Sequence, residues 1–436
     1  MDSAQILISI LLPVWGVVKS WWWLPAPFIL WRLFLFLWFW WRNDVFISKQ
    51  KRVLIEISVP KEVVKPIRAM ETVLSHLWQI VYDPPDSWER WIEGKSILSY
   101  SFEIAAIDGE PHFFIRVPEA SIDSIEAAIY SQYPNAEISV VDDYTKYVPQ
   151  DIPNEDWDLW GTPYRMLKSA PYPIKTYAKF ETEKESVEEK IIDPLAELLE
   201  AMAKTGPGEQ IWVQIIAKPI TDKEVPWVKE GQEIRDKIAM RNSEKPLSRK
   251  PLILEAADIL ITGQPAGVPE KKEEKEIIPP EMKLTPGERE VISEVEKKIS
   301  KLGFQTTIRF IYLGKKEAFF KPRLRLALSF FGAFSSQDLN SIVPHGQPYI
   351  TKIPHSWFLP KNLLRNRRVY LRKRALFRKY RLRVSKYFPG SRGDIVLNTE
   401  ELATLFHFPG RRSAPAPFVR RIEAKKGEAP SGLPTE

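Results

Sequence analysis

The sequence predicts an α+β protein in which N-terminal transmembrane or interfacial helices precede ferredoxin-like, or split βαβ, α+β domains. Three observations support this: an apolar start rich in tryptophan, elements in the order strand, helix, hairpin, helix, strand, and a second, looser α+β pattern. The predicted regions are a membrane anchor (1–42), a ferredoxin-like domain (50–148), a second α+β domain (149–340) with a flexible insertion (241–285), a basic helical segment with a docking motif (341–410) and a disordered tail (411–436).

The first 42 residues predict a membrane anchor. Residues 4–18 carry no charge, and residues 21–41 carry only Arg32. Its insertion cost of roughly 2.5–3.5 kcal/mol is offset by neighbouring Leu, Ile and Phe at about 0.3–0.6 kcal/mol each. Two layouts stay open, one span followed by an interfacial helix or a hairpin broken at Pro25 and Pro27, and a buried core helix is the plain alternative. Tryptophan favours the headgroup boundary, and the anchor tryptophans are Trp15, Trp21, Trp22, Trp23, Trp31, Trp38, Trp40 and Trp41.

Basic residues follow the anchor at once. Arg42, Lys49, Lys51 and Arg52 are accompanied by a single acidic residue, Asp44. The positive-inside bias therefore predicts a protein of the cell membrane whose body faces the cytoplasm. The chain has no cysteine, which excludes disulfides, thiolate metal sites and a cysteine nucleophile.

The ferredoxin-like prediction for residues 50–148 rests on alternating two-residue and helical periods. Asp108-Gly109 has the preferred chemistry of a type I′ hairpin turn, and Ser121 is expected to cap the helix after it. The expected elements are a strand (53–59), a helix (67–77), two hairpin strands (98–107 and 111–117), a helix (122–129) and a strand (137–141).

The second α+β unit has a weaker pattern. Between residues 241 and 285 the periodicity dissolves into Pro, Gly and mixed charge, which indicates a solvated insertion. Thr285-Pro286-Gly287-Glu288 then has the chemistry of a helix start. The expected elements are strands (164–167, 175–180, 210–217 and 304–313) and helices (187–203, 227–240, one from residue 285, and 322–334).

The sequence offers no motif for catalysis. It contains no G-x-x-x-x-G-K-[S/T] sequence, and Gly314-Lys315-Lys316 lacks both the upstream glycine and the hydroxyl that would hold Mg²⁺. The five histidines lie far apart without metal-binding spacing. We therefore expect no enzyme activity, catalytic residue, cofactor or metal site.

One segment concentrates the positive charge. Residues 339–393 contain 14 basic residues and no acidic one, against a formal charge of +7 for the whole chain. Leu364, Leu371, Ala375 and Leu382 lie at helical spacing and predict an apolar stripe on a helix whose other faces are basic. Anionic lipid headgroups, nucleic-acid phosphates or an acidic partner protein would suit this surface, and all three stay open. The residues expected to bind a polyanion are Arg365, Arg367, Arg368, Arg372, Lys373, Arg374, Arg378, Lys379, Arg381 and Arg383.

Residues 397–409 read LNTEELATLFHFP. Together with the Trp-rich start, residues 113–116 (FFIR), residues 133–137 (YPNAE) and Asp143-Tyr144, they resemble the N-terminal region of a bacterial family. Its members are membrane-anchored, type IV secretion or conjugation-like ATPases, described mainly in small-genome candidate-phylum bacteria. In longer members a P-loop ATPase domain of the DNA-pumping type follows closely, whereas this sequence contains none.

The resemblance implies a non-catalytic, membrane-anchored assembly or docking subunit of a type IV secretion or conjugation-like apparatus that recruits a separate P-loop ATPase. The expected partners are membrane lipid, that ATPase, nucleic acid through the basic segment and further copies of the chain. The alternative is a membrane-tethered nucleic-acid-binding protein that works without a motor. Residues 397–409 fit a helix capped by Asn398 or Thr399, whose apolar side serves either local packing or docking. The docking residues would be Leu402, Leu405, Phe406 and Phe408.

Overall fold

The protein has an α+β fold, as predicted. Most of the predicted insertion and the whole predicted tail lie outside the residues that the structure describes. The computed structural model describes residues 15–16, 19–21, 23, 26–59, 65–182, 193–239, 284–346, 349–354, 364–384 and 395–409.

A nine-stranded sheet forms the centre of the molecule. Its strands are β1 (Arg52–Ser58), β2 (Tyr100–Ile107), β3 (Glu110–Pro118), β4 (Glu137–Val141), β5 (Trp157–Met166), β6 (Glu209–Ile220), β7 (Gly303–Lys315), β8 (Ile342–Pro344) and β9 (Ile395–Asn398). The order across the sheet is β4-β1-β3-β2-β6-β7-β5-β8, and β9 pairs with the first residues of β7. All of these pairings are antiparallel.

The two halves of the sheet have the same strand order. The first half reads β4-β1-β3-β2 and the second, from its outer edge inward, reads β8-β5-β7-β6. If the strands of each half are numbered 1 to 4 along the chain, so that β5 is strand 1 of the second half, both halves have the order 4-1-3-2. Strands β2 and β6 join the halves by antiparallel pairing from Tyr100↔Ala217 to Ala106↔Ile211. One sheet therefore runs through both predicted α+β domains.

Helices cover the sheet on both faces, and one further helix precedes its first strand. They are α1 (Ala26–Lys49), α2 (Ile67–Val81), α3 (Ile122–Gln132), α4 (Tyr177–Thr182), α5 (Ala196–Ala203), α6 (Trp227–Ile238), α7 (Pro286–Ile299), α8 (Leu326–Gly332), α9 (Arg365–Arg381) and α10 (Thr399–Leu405), with a π-helical turn at Glu89–Glu93 and 3₁₀ turns at Glu119–Ser121, Tyr144–Lys146 and Lys321–Arg325. The apolar sides of α2, α3, α5, α8 and α10 form the main core on one face. Helix α9 packs on the opposite face, in a smaller core.

Several local predictions are confirmed. Asp108 and Gly109 both have positive φ (51° and 86°), as a type I′ turn between β2 and β3 requires. Thr285 caps α7 through a capping box with Glu288, in which each side chain binds the other residue's backbone N–H. Ser121 is the N-cap residue of α3, but its side chain makes no capping hydrogen bond.

The strand predicted at residues 175–180 is wrong, because α4 occupies this position. The Tyr177 N–H donates to Thr404 Oγ1 at 3.0 Å, and the Lys175 N–H donates to the Phe334 carbonyl at 3.0 Å. The backbone here is therefore satisfied by residues 404 and 334 rather than by a neighbouring strand. The strand predicted at 164–167 is the end of the longer β5.

Candidate polyanion and membrane surfaces

Helix α9 is fixed to the sheet by the apolar part of its C-terminal half. Leu376, Phe377 and Tyr380 are buried, and the Tyr380 ring lies 5.3 Å from that of Trp212 in β6. Gly161 in β5 permits this close approach, because a Cβ there would lie 2.7 Å from Leu376 Cδ2. A helix of strongly basic composition is thus held by a small aromatic patch.

The apolar stripe predicted for α9 is present, but it does not pack against the sheet. Leu364, Leu371 and Leu382 are 60%, 54% and 60% exposed, and Ala375 is exposed as well. The helix turns its aromatic side to the sheet instead, since large rings bury more apolar surface and find aromatic neighbours there. The exposed leucines therefore lie among the exposed arginines.

Arg383, just after α9, is buried between two carboxylates. Its Nε and Nη2 donate to Glu103 at 2.8 and 3.0 Å, while Nη1 and Nη2 donate to Asp143 at 2.5 and 3.1 Å. Burial opposes the charge of Arg383, but Glu103 and Asp143 raise its pKa above the ordinary value. Burial likewise opposes the charge of Asp143, but the Arg383 guanidinium lowers the pKa of this carboxyl below 3.8.

Arg383 also ends the helix. Its φ of +49° lies in the left-handed region, which costs a non-glycine residue about 1–2 kcal/mol. The Arg383 N–H donates to the Tyr380 carbonyl, and the Val384 N–H donates to the Lys379 carbonyl, the hydrogen-bond pattern of a Schellman motif. The four side-chain bonds to carboxylates offset the backbone cost at this position.

A shell of polar side chains completes the cluster around Glu103. Tyr144 Oη donates to Glu103 Oε2 at 2.8 Å and lies 2.8 Å from Tyr380 Oη. Gln214 Nε2 donates to Glu103 Oε1 at 3.0 Å, and Arg309 Nη1 donates to Gln214 Oε1 at 2.8 Å. Burial raises the pKa of both tyrosines well above 10 and lowers that of Arg309 to about 10. With both Glu103 oxygens bonded, the arrangement serves to hold α9 on the sheet.

The outer side of α9 keeps part of the predicted polyanion surface. Arg381 is half-buried, with its guanidinium 5.6 Å from the Phe377 ring. Arg383 is not part of this surface, because its side chain is only 2% exposed. The predicted residues that do face solvent are Arg367, Arg368, Arg374, Arg378 and Lys379.

Three predicted polyanion residues have partners within the protein. Lys373 Nζ lies 2.5 Å from Asp158 Oδ1 in β5. Arg365 Nε and Arg372 Nη1 donate at 3.0 and 3.2 Å to backbone carbonyls within residues 349–354. All three are half-buried, so they position the N-terminal half of α9 rather than extend from its outer side.

Helix α1 exposes apolar side chains around more than half of its circumference, at about 100° per residue. No helix in the described part of the chain is both long and apolar enough to cross a membrane. The first predicted apolar run, residues 4–18, lies mostly outside the described residues. The side chains that are 45–60% exposed are Leu30, Trp31, Leu33, Phe34, Phe36, Leu37, Trp40 and Trp41.

The predicted anchor tryptophans lie mostly at the surface. Trp38 is half-buried and its Nε1 donates to the Trp91 carbonyl at 2.9 Å, while Trp22 lies outside the described residues. The exposed ones are Trp15, Trp21, Trp23, Trp31, Trp40 and Trp41.

The predicted docking residues belong to the core. The Phe406 ring lies 5.1 Å from that of Phe102, and the Phe408 ring lies 5.2 Å from that of Tyr133. Their docking role is therefore not available in this fold, and the alternative, local packing, describes them. The buried docking residues are Leu402, Leu405, Phe406 and Phe408, at 0–6% exposure.

A buried ion pair ties α10 to α7. Lys298 Nζ lies 3.0 Å from Glu401 Oε2, and both side chains are 0% exposed. Glu401 also closes a capping box with Asn398 and accepts the Ile174 N–H at 2.8 Å, while Lys298 donates to the Val396 carbonyl at 2.8 Å. Burial raises the pKa of Glu401 and lowers that of Lys298, each against the charge of its partner.

Other polar residues of the 397–409 motif are also bonded internally. Lys301 Nζ lies 2.7 Å from Glu400 and 2.6 Å from Glu71 of α2. His407 Nε2 lies 2.9 Å from Asp193 Oδ1, and its Nδ1 lies 2.9 Å from the Ala403 carbonyl. The motif is therefore a junction between α2, α7 and the segment before α5.

Sequence reasoning did not single out Glu103 or Lys298, although each leaves a signal. Glu103 is the one acidic or basic residue of β2, whose sequence is YSFEIAAI. Lys298 falls three residues after Val295, on the apolar side of α7. A charged residue in an apolar face predicts a buried partner, since an unpaired buried charge is costly.

Within the described residues, no group of three or more His, Asp and Glu is placed to hold a metal ion. The model of a family described as a domain of unknown function (DUF8128) matches residues 48–414. The matched region begins at the end of α1 and includes every strand of the sheet. No curated protein matches this sequence.

Proposed function

This chain belongs to the DUF8128 family, and we propose that it is a non-catalytic, membrane-associated assembly subunit of a type IV secretion or conjugation-like apparatus. In this proposal it recruits a separate P-loop ATPase from the cytoplasmic side of the cell membrane. The observation that supports membrane attachment is the broad exposed apolar surface of α1. The sequence resemblance carried by residues 397–409 and the Trp-rich start supports the apparatus.

Lipid is the environment that suits α1. A helix that is apolar on most sides is normally either buried in protein or in contact with a membrane. The side chains of Trp31, Phe34 and Leu37 are at least half exposed, so the protein does not bury them. Trp40, Trp41 and the following Arg42 give the aromatic and basic boundary typical of the headgroup region. We therefore place α1 at the membrane interface.

The ferredoxin-like prediction becomes a proposal for both halves of the sheet. The first half has the order strand, helix, hairpin, helix, strand along the chain, with spatial order β4-β1-β3-β2. The second half repeats this spatial order as β8-β5-β7-β6, with α6 and α7 inserted between β6 and β7. Two split βαβ units joined through their second strands account for both patterns.

The outer side of α9 supplies the proposed polyanion surface. At a membrane, each basic residue near anionic headgroups contributes about 1 kcal/mol of attraction. Three exposed arginines, Arg367, Arg374 and Arg378, lie on this side together with the exposed Leu371. Because α1 holds the body near the bilayer in this proposal, we infer that anionic lipid is the partner of α9.

A nucleic acid is the second candidate partner, and one observation favours it. The Tyr370 ring is 39% exposed, and the Arg374 guanidinium lies 5.6 Å from it. Aromatic rings beside arginines are the elements with which proteins stack and neutralise single-stranded nucleic acid. In that case the chain is a membrane-tethered nucleic-acid-binding protein.

The membrane part is tested by flotation of the full-length protein with phosphatidylcholine vesicles that contain phosphatidylglycerol. We expect Trp31→Gln/Phe34→Gln/Leu37→Gln to lose most of its vesicle binding, because α1 then loses its apolar surface. The matched control, Leu167→Gln/Leu328→Gln/Tyr349→Gln, changes three exposed apolar residues elsewhere and should float like the parent. A parent protein that stays at the bottom of the gradient would refute membrane attachment.

The α9 surface is tested with Arg367→Gln/Arg374→Gln/Arg378→Gln. We expect weaker binding to anionic vesicles and to DNA, and binding of the parent should fall steeply as salt is raised. The control Lys146→Gln/Lys204→Gln/Lys297→Gln removes the same charge from positions 64–70% exposed. Equal affinity of the two variants would contradict a polyanion surface on α9, and displacement of vesicles by duplex DNA would show that one patch serves both ligands.

The ATPase part is tested by affinity purification of the solubilised protein from its native membranes. We expect a P-loop ATPase to co-purify, and we expect the purified chain alone to show no ATP turnover. Lys298 pairs with Glu401 of the 397–409 motif, and the apolar residues of this motif are buried. Lys298→Met should therefore reduce ATPase recruitment only as far as it unfolds the protein. Purification without any ATPase would remove the support for an assembly role.

A further inference from the structure

A short segment before β2 exposes a second group of large apolar side chains. Trp88, Trp91 and Ile92 are 66%, 42% and 40% exposed. They lie on the π-helical turn at Glu89–Glu93 and on the residue before it. This turn lies within the region matched by the family model, and not within the predicted anchor.

The turn is packed directly against α1. The Trp91 ring meets the Phe39 ring edge-on at 5.0 Å, and the Arg90 guanidinium lies 5.2 Å from the same phenylalanine. Gly94 has a φ of +74°, and a Cβ on it would lie 2.3 Å from the Arg42 carbonyl carbon. Only glycine fits this contact, so the approach of the two backbones is close and specific.

The turn is also held in shape by its own polar residues. The Asp86 N–H donates to Glu89 Oε2 at 3.1 Å, and the Glu89 N–H donates to Asp86 Oδ1 at 2.7 Å. Lys95 Nζ lies 2.8 Å from Glu89 and 2.9 Å from Asp83. Lys95 thereby offsets part of the negative charge of these two carboxylates, and the tryptophans are presented by a fixed turn.

We propose that Trp88, Trp91 and Ile92 enter the membrane interface together with α1 and so fix the orientation of the body on the bilayer. This inference rests on the proposed membrane attachment and extends the lipid-binding surface from the anchor to the α+β domain. Indole rings on an ordered turn are suited to the headgroup boundary, where an apolar body and an N–H are both satisfied. A second copy of the chain would cover one side of α1, whereas lipid covers its whole exposed circumference.

The absence of cysteine from the sequence makes a direct test possible. Single cysteines are introduced in the full-length chain as Trp88→Cys, Ile92→Cys, Trp31→Cys and Leu328→Cys, and each is labelled with a polarity-sensitive fluorophore. All four positions are at least 40% exposed, so the parent thermal unfolding profile is expected for each. The proteins are mixed with phosphatidylcholine vesicles, with and without a lipid that carries a shallow spin label.

We expect the fluorophores at 88 and 92 to shift to shorter wavelength and to be quenched by the spin-labelled lipid as strongly as the fluorophore at 31. The fluorophore at 328 should be unaffected, because α8 lies beside β5, where Tyr164 Oη donates to the Ala327 carbonyl at 2.6 Å. Strands β5 and β8 form one edge of the sheet, whereas α1 leads into β1, next to the other edge.

Quenching at 31 without quenching at 88 and 92 would overturn this inference while leaving membrane attachment intact. No quenching at any position would overturn both proposals. A blue shift at 88 that grows with protein concentration in the absence of vesicles would show that a second copy covers the turn, and would also overturn the inference.

Discussion

The sequence predicts an interaction surface on helix α9, and either local packing or docking for the 397–409 motif, and the structure distinguishes the two segments. The motif is internal: its apolar side chains are 0–6% exposed and its Glu401 pairs with the buried Lys298. Helix α9 is divided, with Phe377 and Tyr380 buried and Arg367, Arg374 and Arg378 exposed. The presence of a buried ion pair does not explain why one segment is internal and the other partly exposed, because each segment is held by such a pair.

The difference lies in the surroundings of each buried ion pair. The Lys298–Glu401 pair lies in the face of the sheet that five helices cover, where α10 is one part of a large core. The Arg383 cluster lies in the opposite face, where the apolar patch under α9 is smaller. A helix that is held by few apolar contacts and one ionic cluster can leave most of its charge in solvent.

The largest effect is expected from Lys298→Met. This change leaves Glu401 buried without its cation, and breaking a buried pair in this way costs about 3–5 kcal/mol of unfolding free energy. The neighbouring Lys297→Met is the matched control, since Lys297 is 64% exposed and its pair with Glu294 contributes about 0.5 kcal/mol or less. Urea unfolding of both variants measures the difference, and a second change, Glu401→Gln, should recover part of the loss. Equal losses in the two single variants would contradict a structural role for the buried pair.

A smaller effect is expected from Arg383→Lys. Lysine keeps the charge but cannot bind Glu103 and Asp143 through a planar fork, so we expect a loss of about 1.5–3 kcal/mol. Hydrogen exchange should show faster opening of α9 than of α10, because only α9 depends on this cluster. Arg381→Lys, at the half-buried neighbouring position, is the control. Uniform acceleration of exchange across both helices would show that the cluster supports the whole fold.

The smallest effect on the unfolding free energy is expected from lowering the pH. Arg383 lowers the pKa of Asp143, so this carboxyl contributes stability above its ordinary pKa of 3.8 and loses it as the pH falls through the lower folded-state value. The unfolding free energy of the parent should therefore decline below about pH 4 more steeply than that of Asp143→Asn. Parallel pH profiles for the two proteins would contradict the ionic coupling between Asp143 and Arg383.

Local chemistry in this sequence predicts local structure well. The type I′ turn at Asp108-Gly109 and the capping box at Thr285 were expected because few other residues satisfy these backbone geometries. The spacing of apolar residues along the chain predicts the α+β class and most of the strands. The helix at Tyr177 was missed, because its short apolar pattern fits a strand equally well and its backbone partner, Thr404, is 227 residues away.

The spacing of apolar residues in α9 does not predict which side of the helix packs against the sheet. Two apolar stripes exist on this helix, one of leucines and one with Phe377 and Tyr380, and the choice depends on rings such as Trp212 in a distant strand. The burial of Arg383 depends likewise on Glu103, 280 residues earlier. Long-range pairing of this kind leaves only an indirect trace, such as the mid-strand Gly161 that admits Leu376.

The pairing of β2 with β6 has a consequence for any attempt to divide this chain. A fragment that ends near residue 148 would present the backbone of residues 100–106 as an unpaired strand edge, and the remaining fragment would present the matching edge of β6. Unpaired edges of this length template self-association, so each fragment alone should aggregate. Supplied together, the two edges are complementary, and the junction becomes a place where two separately made pieces can reassemble into one sheet.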